Sequence, residues 1–216
     1  RGMGTMGVDP MPASVETYII VWKWGAYLGA EALDNGVDVM TSSWRRAAPD
    51  TFPTMAKAGG NYLNSVLIKM EATAQGYSEG IALDVQGFVS EGSGENLFLS
   101  WEGKVITSPT ASAILPGITR NSVIHLLKAR GVEVIEQQIP REMLYMAEEV
   151  FLTGTAAEVT PVRSIDRIEV GAGRRGPVTA RVQKDFFAYV RGEVDDRFGW
   201  MTPVQTSRSV EMSVEP

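Results

Sequence analysis

Residues 83–98 read LDVQGFVSEGSGENLF, and this stretch decides the fold class. Short runs of β-branched and aromatic residues alternate with a Gln-Gly turn at 86–87 and a glycine-rich loop at 90–94, which predicts short strands joined by tight connections. The same segment holds two carboxylates, Glu91 and Glu95. They belong either to a solvated polar hairpin or to a site that holds a carboxylate against a heteroaromatic nitrogen of a ligand.

Further strands and helices are predicted on both sides of this stretch. Strand-forming residues bounded by turns predict strands at 16–22, 37–42, 81–85, 88–89, 96–101, 104–107, 132–139, 149–153 and 158–165. Helical spacing and helix-boundary residues predict helices at 63–75, 119–129, 141–146 and from residue 177 to about 190. We expect 80–107 to form an antiparallel meander. Runs of strands separated by helices favour an α+β fold over a doubly wound parallel sheet.

Three other stretches bear on the organisation of the chain. The helix at 63–75 has apolar residues at helical spacing, which we expect to pack on the sheet: Leu63, Val66, Leu67, Met70 and Ala74. The glycine-punctuated stretch 24–29 predicts a connection between domains. Residues after 202 are polar and aperiodic, which predicts a disordered tail.

Composition excludes several classes of function. The 216 residues carry a net charge of -6, which gives no basic surface for nucleic acid or for an anionic membrane. Cysteine is absent and His125 is the single histidine, so thiolate and multi-histidine metal sites are excluded and no metal is expected. Arg45-Arg46 and Arg174-Arg175 are predicted to be solvated basic pairs.

The chain shows no signal for membrane insertion or secretion. Its most apolar stretch, 18–30, is interrupted by Lys23 and is shorter than the roughly 20 residues that span a bilayer. Residues 1–4 lack the regions of a signal peptide, so a cytoplasmic location is expected. They also lack an initiator methionine, from which we expect a piece of a longer protein.

Lys57 lies in the sequence AKAGGNY, after a proline-containing loop and before a helix. Two glycines there allow the backbone to approach a ligand. A lysine that forms an imine must be deprotonated and needs a partly desolvated site. Lys57 is therefore either such a nucleophile or an ordinary surface lysine near a helix start.

Two small-residue turns are candidate anion sites. LPGITR at 115–120 leads into a helix whose free N–H groups and positive dipole end suit a phosphate, although Thr119 is equally consistent with a plain N-cap. TGTAAE at 153–158 lies between two strands, where Thr155 offers a hydroxyl and an N–H group to an anion. The alternative for the second turn is an ordinary loop.

Four motifs in one order closely resemble the branched-chain aminotransferases of fold type IV, which use pyridoxal phosphate. They are KAGGNYLNS, LDVQGFVSEGSGENLF, ILPGITR and EVFLTGTAAEVTPV, within a resemblance that covers roughly 2–200. The resemblance implies an internal aldimine between Lys57 and pyridoxal phosphate, after which Lys57 shuttles a proton between substrate Cα and cofactor C4′. It implies that Glu91 pairs with the pyridine nitrogen and that Tyr62 hydrogen-bonds the ring oxygen.

The resemblance also implies the remaining site residues. Leu115 lies on the ring face, and the phosphate is bound by the turn that contains Gly117, Ile118 and Thr119. Thr155 contacts the phosphate, Thr155 and Ala156 lie at the substrate carboxylate, and the aliphatic side chain is walled by Trp24 and Tyr27. For the last two, ordinary core aromatics remain the alternative.

The resemblance implies an N-terminal domain that completes the site, and we expect most of it to lie outside these 216 residues. The resemblance thus divides the chain into the end of that small domain with the connection at 1–33, a large cofactor-binding domain at 34–202 and the tail at 203–216. It implies amino transfer from leucine, isoleucine or valine to 2-oxoglutarate, in a dimer or higher homo-oligomer. The alternatives are a D-amino-acid aminotransferase, an aminodeoxychorismate lyase, a catalytically silent cofactor-binding fragment, or a plain domain without cofactor.

Overall fold

A mixed β-sheet forms the centre of the computed structural model, which describes residues 4, 6–25, 27–29 and 31–203. Within these residues the strands, in chain order, are β1 Val37–Arg45, β2 Glu79–Leu83, β3 Val89–Gly92, β4 Asn96–Trp101, β5 Lys104–Thr107, β6 Val134–Glu136, β7 Glu149–Gly154, β8 Glu158–Ile165 and β9 Ile168–Glu169. Their order in the sheet is β3-β2-β1-β8-β7-β4-β5-β6, with β9 paired to β8.

Helices cover the sheet and connect its strands. The described residues contain α1 Ala32–Asn35, α2 Tyr62–Ala74, α3 Ile118–Ala129, α4 Met143–Met146 and α5 Pro177–Val190, with 3₁₀ turns at Gly59–Asn61 and Thr110–Ser112. Helix α5 begins at a proline, whose missing N–H is no loss in the first turn. Glu149 accepts hydrogen bonds from the N–H groups of Val178 and Thr179, which fixes that helix end to β7. In the described residues no helix is long and apolar enough to cross a membrane.

The strands at the middle of the sheet are buried on both faces. On β4, Phe98 points to the face covered by α3 and α5, while Leu97 and Leu99 join the core on the other face. Phe98 stacks on Phe151 of β7 with ring centroids 5.1 Å apart. Double burial explains why β4 is almost continuously apolar instead of alternating.

The predicted antiparallel meander at 80–107 is wrong. The segment forms two hairpins, β2-β3 and β4-β5, which three other strands separate in the sheet. Strand β2 runs parallel to β1, and β5 runs parallel to β6. The sheet curls until its two edge strands approach each other: the Val89 N–H of β3 donates a hydrogen bond to the carbonyl oxygen of Ile139, which follows β6. Strand pairing between distant segments leaves no local trace in the sequence.

The predicted strand at 16–22 is also wrong. The residues lie outside every strand, and Ile19, Ile20 and Val21 are exposed. A β-branched run becomes a strand only when a neighbouring backbone supplies hydrogen bonds, and no strand of the described sheet pairs with this segment. The tail predicted at 203–216 lies outside the described residues, apart from Pro203.

Most other elements are confirmed, with some different bounds. The strand predicted at 132–139 is shorter in the structure, and α1 and β9 were not predicted. Helix α2 is confirmed, but its predicted packing face is wrong. Ser65, Ile68 and Ala72 are the buried residues of this helix, whereas Leu63 and Met70 are 69% and 62% exposed. The buried face combines one large apolar residue, Ile68, with the small Ser65 and Ala72, so hydrophobic size alone does not indicate it.

We expect Phe151→Ala to lower the free energy of unfolding by about 3 to 5 kcal/mol, because it opens a cavity between β7, α3 and α5. Urea unfolding followed by far-UV circular dichroism measures the change. Phe52→Ala is the matched control, since Phe52 is 49% exposed and should cost about 1 kcal/mol or less. Equal losses in the two variants would contradict the placement of Phe151 in the core.

Candidate functional site

A cavity of about 340 Å³ lies beside the start of α2. Its walls come from the end of β1, the loop at 52–57, the first two turns of α2, the loop between β3 and β4, and the segment that leads to α3. This volume is within the range of small-molecule sites. Four of the predicted site residues line it: Lys57, Tyr62, Glu91 and Leu115.

Lys57 is held at the rim of the cavity. Its Nζ donates a hydrogen bond of 2.5 Å to the Tyr62 hydroxyl. Asn61 fastens the preceding loop, because its side-chain amide donates to the carbonyl oxygens of Pro53 and Ala56 at 2.9 and 2.7 Å. Lys57 is exposed among the described residues, which by themselves do not desolvate its amine. The cavity opens to solvent on this side.

Glu91 is the buried carboxylate of the cavity and is 8% exposed. One of its oxygens accepts hydrogen bonds of 3.0 Å from both the Leu115 N–H and the Asn96 side-chain amide. The other lies 3.3 Å from the Arg46 guanidinium. Burial raises the pKa of Glu91 to about 7, although the charge of Arg46 and the Leu115 hydrogen bond oppose the rise. Because Glu91 is buried, the alternative prediction of a solvated polar hairpin is wrong for this residue.

Arg46 was predicted to be solvated, and that prediction is wrong. The residue is 7% exposed. Its guanidinium donates to the Gly92 carbonyl at 2.5 Å and to the side chains of Asn64 and Ser65 at 2.9 and 3.1 Å. It therefore ties β1, α2 and the β3-β4 loop to the carboxylate of Glu91. No local signal marks it, because its partners lie 18 to 47 positions away in the chain.

Asn96 is a second site residue that sequence reasoning did not single out, although it lines the cavity. Its amide bridges two of the motifs, since it donates to Glu91 and, at 2.8 Å, to the Leu115 carbonyl. Gly117 completes this junction, because a Cβ there would clash with the Asn96 amide oxygen. The sequence feature that could have identified Asn96 is its position at the end of the GSGEN motif.

The anion-site residues do not line the cavity. Ile118 and Thr119 form the first turn of α3, where Ile118 is 82% exposed and Thr119 is buried. Helix N-termini leave N–H groups free, so this turn keeps its capacity for an anion. Thr155 and Ala156 lie exposed in the turn between β7 and β8. Pairing of Asn96 with Thr153 brings that turn beside the loop that borders the cavity.

The two aromatic residues predicted as pocket walls also lie outside the cavity lining. Trp24 is 61% exposed and stacks on Trp22 with centroids 5.5 Å apart. Tyr27 is 40% exposed and meets Trp24 edge to face. Burial, followed by the charges of Glu95 and Glu79, raises the pKa of Tyr27. This tyrosine therefore lies within electrostatic reach of the β3-β4 loop.

His125 lies away from the cavity on the surface of α3, against Phe198 and Trp200. Among the described residues, no group of three or more His, Cys, Asp or Glu is arranged to hold a metal ion.

Fold and sequence comparisons agree on the class of protein. The model of the amino-transferase class IV family matches residues 1–165, and the chain belongs to this family. It is 58% identical over 202 residues to a branched-chain-amino-acid aminotransferase of Salmonella typhimurium, covering 93% of this chain and 65% of that protein. The chain thus spans just under two thirds of the length of this relative.

Solved structures give the same result. The Escherichia coli branched-chain amino acid aminotransferase superposes with a TM-score of 0.83 at 59% identity, over 84% of this chain and 60% of that one. A second branched-chain amino acid aminotransferase, from the organism abbreviated T.th. and solved with pyridoxamine 5'-phosphate, gives a TM-score of 0.79 at 49% identity, over 84% and 59% of the two chains. The α+β fold expected from the sequence is confirmed as the class IV aminotransferase fold.

We expect Arg46→Met to lower the free energy of unfolding by roughly 3 to 5 kcal/mol at pH 8, because Glu91 loses its buried cation. The loss should be smaller at pH 5. Glu91 has its folded-state pKa near 7, so it is already protonated there and needs no cation. Urea unfolding at the two pH values measures this difference.

The exposed neighbour provides the control for that measurement. Arg45→Met should change the free energy of unfolding by less than about 0.5 kcal/mol at either pH, since Arg45 is exposed. A loss in Arg46→Met that is equal at pH 5 and pH 8 would contradict the pairing with an ionised Glu91.

Proposed function

We propose that this chain forms the cofactor-binding part of a pyridoxal-phosphate-dependent branched-chain aminotransferase. In this proposal the enzyme transfers the amino group of leucine, isoleucine or valine to 2-oxoglutarate. The observation that carries the proposal is a cavity lined together by the Lys57 amine, the Tyr62 phenol and the buried Glu91 carboxylate. The names of the relatives and the pyridoxamine 5'-phosphate in the T.th. structure support it.

The residues present fit pyridoxal phosphate. The buried Glu91 carboxylate is suited to hold a protonated ring nitrogen, because the positive charge of the ring would favour its ionised form, and Arg46 and Asn96 keep it in place. Leu115 supplies an apolar side chain at the cavity wall, against which a flat ring can pack. The phosphate would bind at the start of α3, at Gly117, Ile118 and Thr119, with Thr155.

In the proposed mechanism Lys57 would hold the cofactor until the substrate amine takes its place, and the Lys57 amine that is released would then move the proton. When bound, pyridoxal phosphate supplies an electron-withdrawing ring that accepts the electrons of the broken Cα–H bond. The Lys57 amine takes the proton from substrate Cα and returns it at cofactor C4′, as a general base and then a general acid. The Tyr62 hydroxyl, 2.5 Å from Nζ, orients that amine and would hydrogen-bond the ring oxygen. Glu91 keeps the ring nitrogen protonated.

Substrate recognition is proposed for residues at the border of the cavity. Thr155 and Ala156 would bind the substrate carboxylate from the β7-β8 turn, and Trp24 and Tyr27 would enclose the aliphatic side chain.

We also propose the domain division at residues 33 and 202, a homo-oligomeric assembly, small amino acids and 2-oxo acids as partners, and a cytoplasmic location. The resemblance of the motifs supports these proposals.

A second candidate is a catalytically silent module that binds the cofactor. The exposure of Lys57 favours it, as does the position of Trp24, Tyr27, Thr155 and Ala156 outside the cavity lining. This candidate predicts a folded protein that takes up pyridoxal phosphate and does not react with any amino acid.

Lys57→Ala should abolish the visible absorption band that pyridoxal phosphate acquires on covalent binding, because no other amine lines the cavity in the described residues. A visible spectrum of each purified variant with added cofactor measures this. Lys128→Ala is the control: this exposed lysine at the end of α3 lies outside the cavity, and its loss should leave the band unchanged. A full band in Lys57→Ala would refute the assignment of Lys57.

Leucine should convert the bound cofactor to pyridoxamine phosphate in the full-length protein, while D-alanine and aminodeoxychorismate should not react. Stopped-flow absorbance with each compound measures the half-reaction. Reaction with D-alanine or aminodeoxychorismate instead would support those related activities. A band that no compound changes would favour the silent module.

A further inference from the structure

Glu95 is a buried carboxyl of the cavity to which the proposed mechanism gives no task. It lies just before β4, lines the cavity and is only 3% exposed. Its Oε2 accepts a hydrogen bond of 3.1 Å from the Gly94 N–H. Its Oε1 has no hydrogen-bond partner among the described residues. A buried carboxyl oxygen without a hydrogen-bond partner destabilises the folded state, so we expect either a ligand or a proton at this oxygen.

The surroundings favour the neutral form of this carboxyl. Burial, and then the negative charge of Glu79 on β2, raise the pKa of Glu95 to about 8. Glu91 on β3 acts in the same direction, whereas Lys69 on α2 and the Gly94 N–H oppose it. The phenol of Tyr27 is the further titratable group in its field. These surroundings therefore favour the protonated form of Glu95, which can donate a hydrogen bond.

The position of the carboxyl is fixed by small residues around it. A side chain at Gly92 would meet Glu95 Oε2 at 2.7 Å, so only glycine leaves room for the carboxyl there. A Cβ at Gly154, at the end of β7, would lie 3.7 Å from Glu95 Cγ. The group is thus held at the junction of the β3-β4 loop and the β7-β8 turn, next to Thr155.

We propose that Glu95 is a ligand-binding residue of the cavity, whose neutral carboxyl donates a hydrogen bond to an oxygen acceptor of a bound carboxylic acid. A protonated carboxyl offers one donor, and carboxylate and keto oxygens are the matching acceptors on amino acids and 2-oxo acids. An ionised Glu95 would repel the same anionic ligand inside the cavity. The identity of the ligand rests on the proposed function, whereas the protonation of Glu95 does not.

The first experiment tests protonation alone, without ligand or turnover. Infrared difference spectra of the protein, taken between pH 7 and pH 9, should contain the C=O stretch of a protonated carboxyl that is lost as the pH rises. Glu91, whose pKa is raised to about 7, contributes to this band as well. The loss between pH 7 and pH 9 should therefore be smaller in Glu95→Gln than in the wild type, and unchanged in Glu142→Gln, a control at an exposed position. A loss of wild-type size in Glu95→Gln would overturn the proposal.

The second experiment tests binding. Calorimetric titration of the full-length protein, saturated with pyridoxal phosphate, uses 4-methylvaleric acid as an unreactive analogue of leucine that is fully ionised in this pH range. Wild-type affinity should fall by about tenfold per pH unit above pH 8, relative to Glu95→Gln, which keeps a donor without a titratable proton. Glu95→Leu should weaken binding at pH 7 by about tenfold, because it removes the donor.

The outcomes separate this proposal from the proposed function. If wild type binds the acid and Glu95→Leu binds it equally well, the role of Glu95 is overturned and the proposed function stands. The same holds if Glu95→Gln follows the wild-type pH dependence. If wild type does not bind the acid at any pH, both proposals fail.

Discussion

The site depends on the burial of one carboxylate, Glu91, against one guanidinium, Arg46. Because both charges are buried, each group that pairs with them has a defined place. The Leu115 N–H and the Asn96 amide donate to Glu91, and the Gly92 and Ser93 carbonyl oxygens accept from Arg46. A buried pair of this kind contributes little net stability, but its parts cannot move independently without a large penalty. It fixes the positions of β1, β3 and the segment before α3 relative to one another.

The curled sheet is what makes that pair possible. Strand β1 lies between β2 and β8, and the end of β1 places Arg46 beside Glu91 of β3 and the β3-β4 loop that follows it. The β4-β7 pairing sets the β7-β8 turn beside the same loop. A cavity bordered by chain segments far apart in sequence can hold a cofactor whose ring, phosphate and reactive carbon each need a different partner. Lys57, from the loop before α2, supplies the reactive amine in the proposed function.

Local patterns predicted the elements better than their arrangement. The helices near 62–74 and 118–129 and the hairpin at 96–107 follow from spacing and turn residues that act over a few positions. The strand predicted at 16–22 and the antiparallel meander failed, because both depended on which backbone lies alongside. The predicted packing face of α2 failed for a related reason: which face meets the sheet, here Ser65, Ile68 and Ala72, depends on the strands that lie against the helix.

By itself, the sequence determined the family, the α+β class and four residues that line the cavity: Lys57, Tyr62, Glu91 and Leu115. These four residues lie in short motifs of consecutive residues, so the sequence alone is sufficient to identify them. Only the tertiary structure decided that Arg46 is buried, that Asn96 joins two motifs and that one Glu95 oxygen has no partner within the part of the chain that the structure describes. The physical reason is that burial and the field of neighbouring charges depend on segments that the chain brings together only on folding.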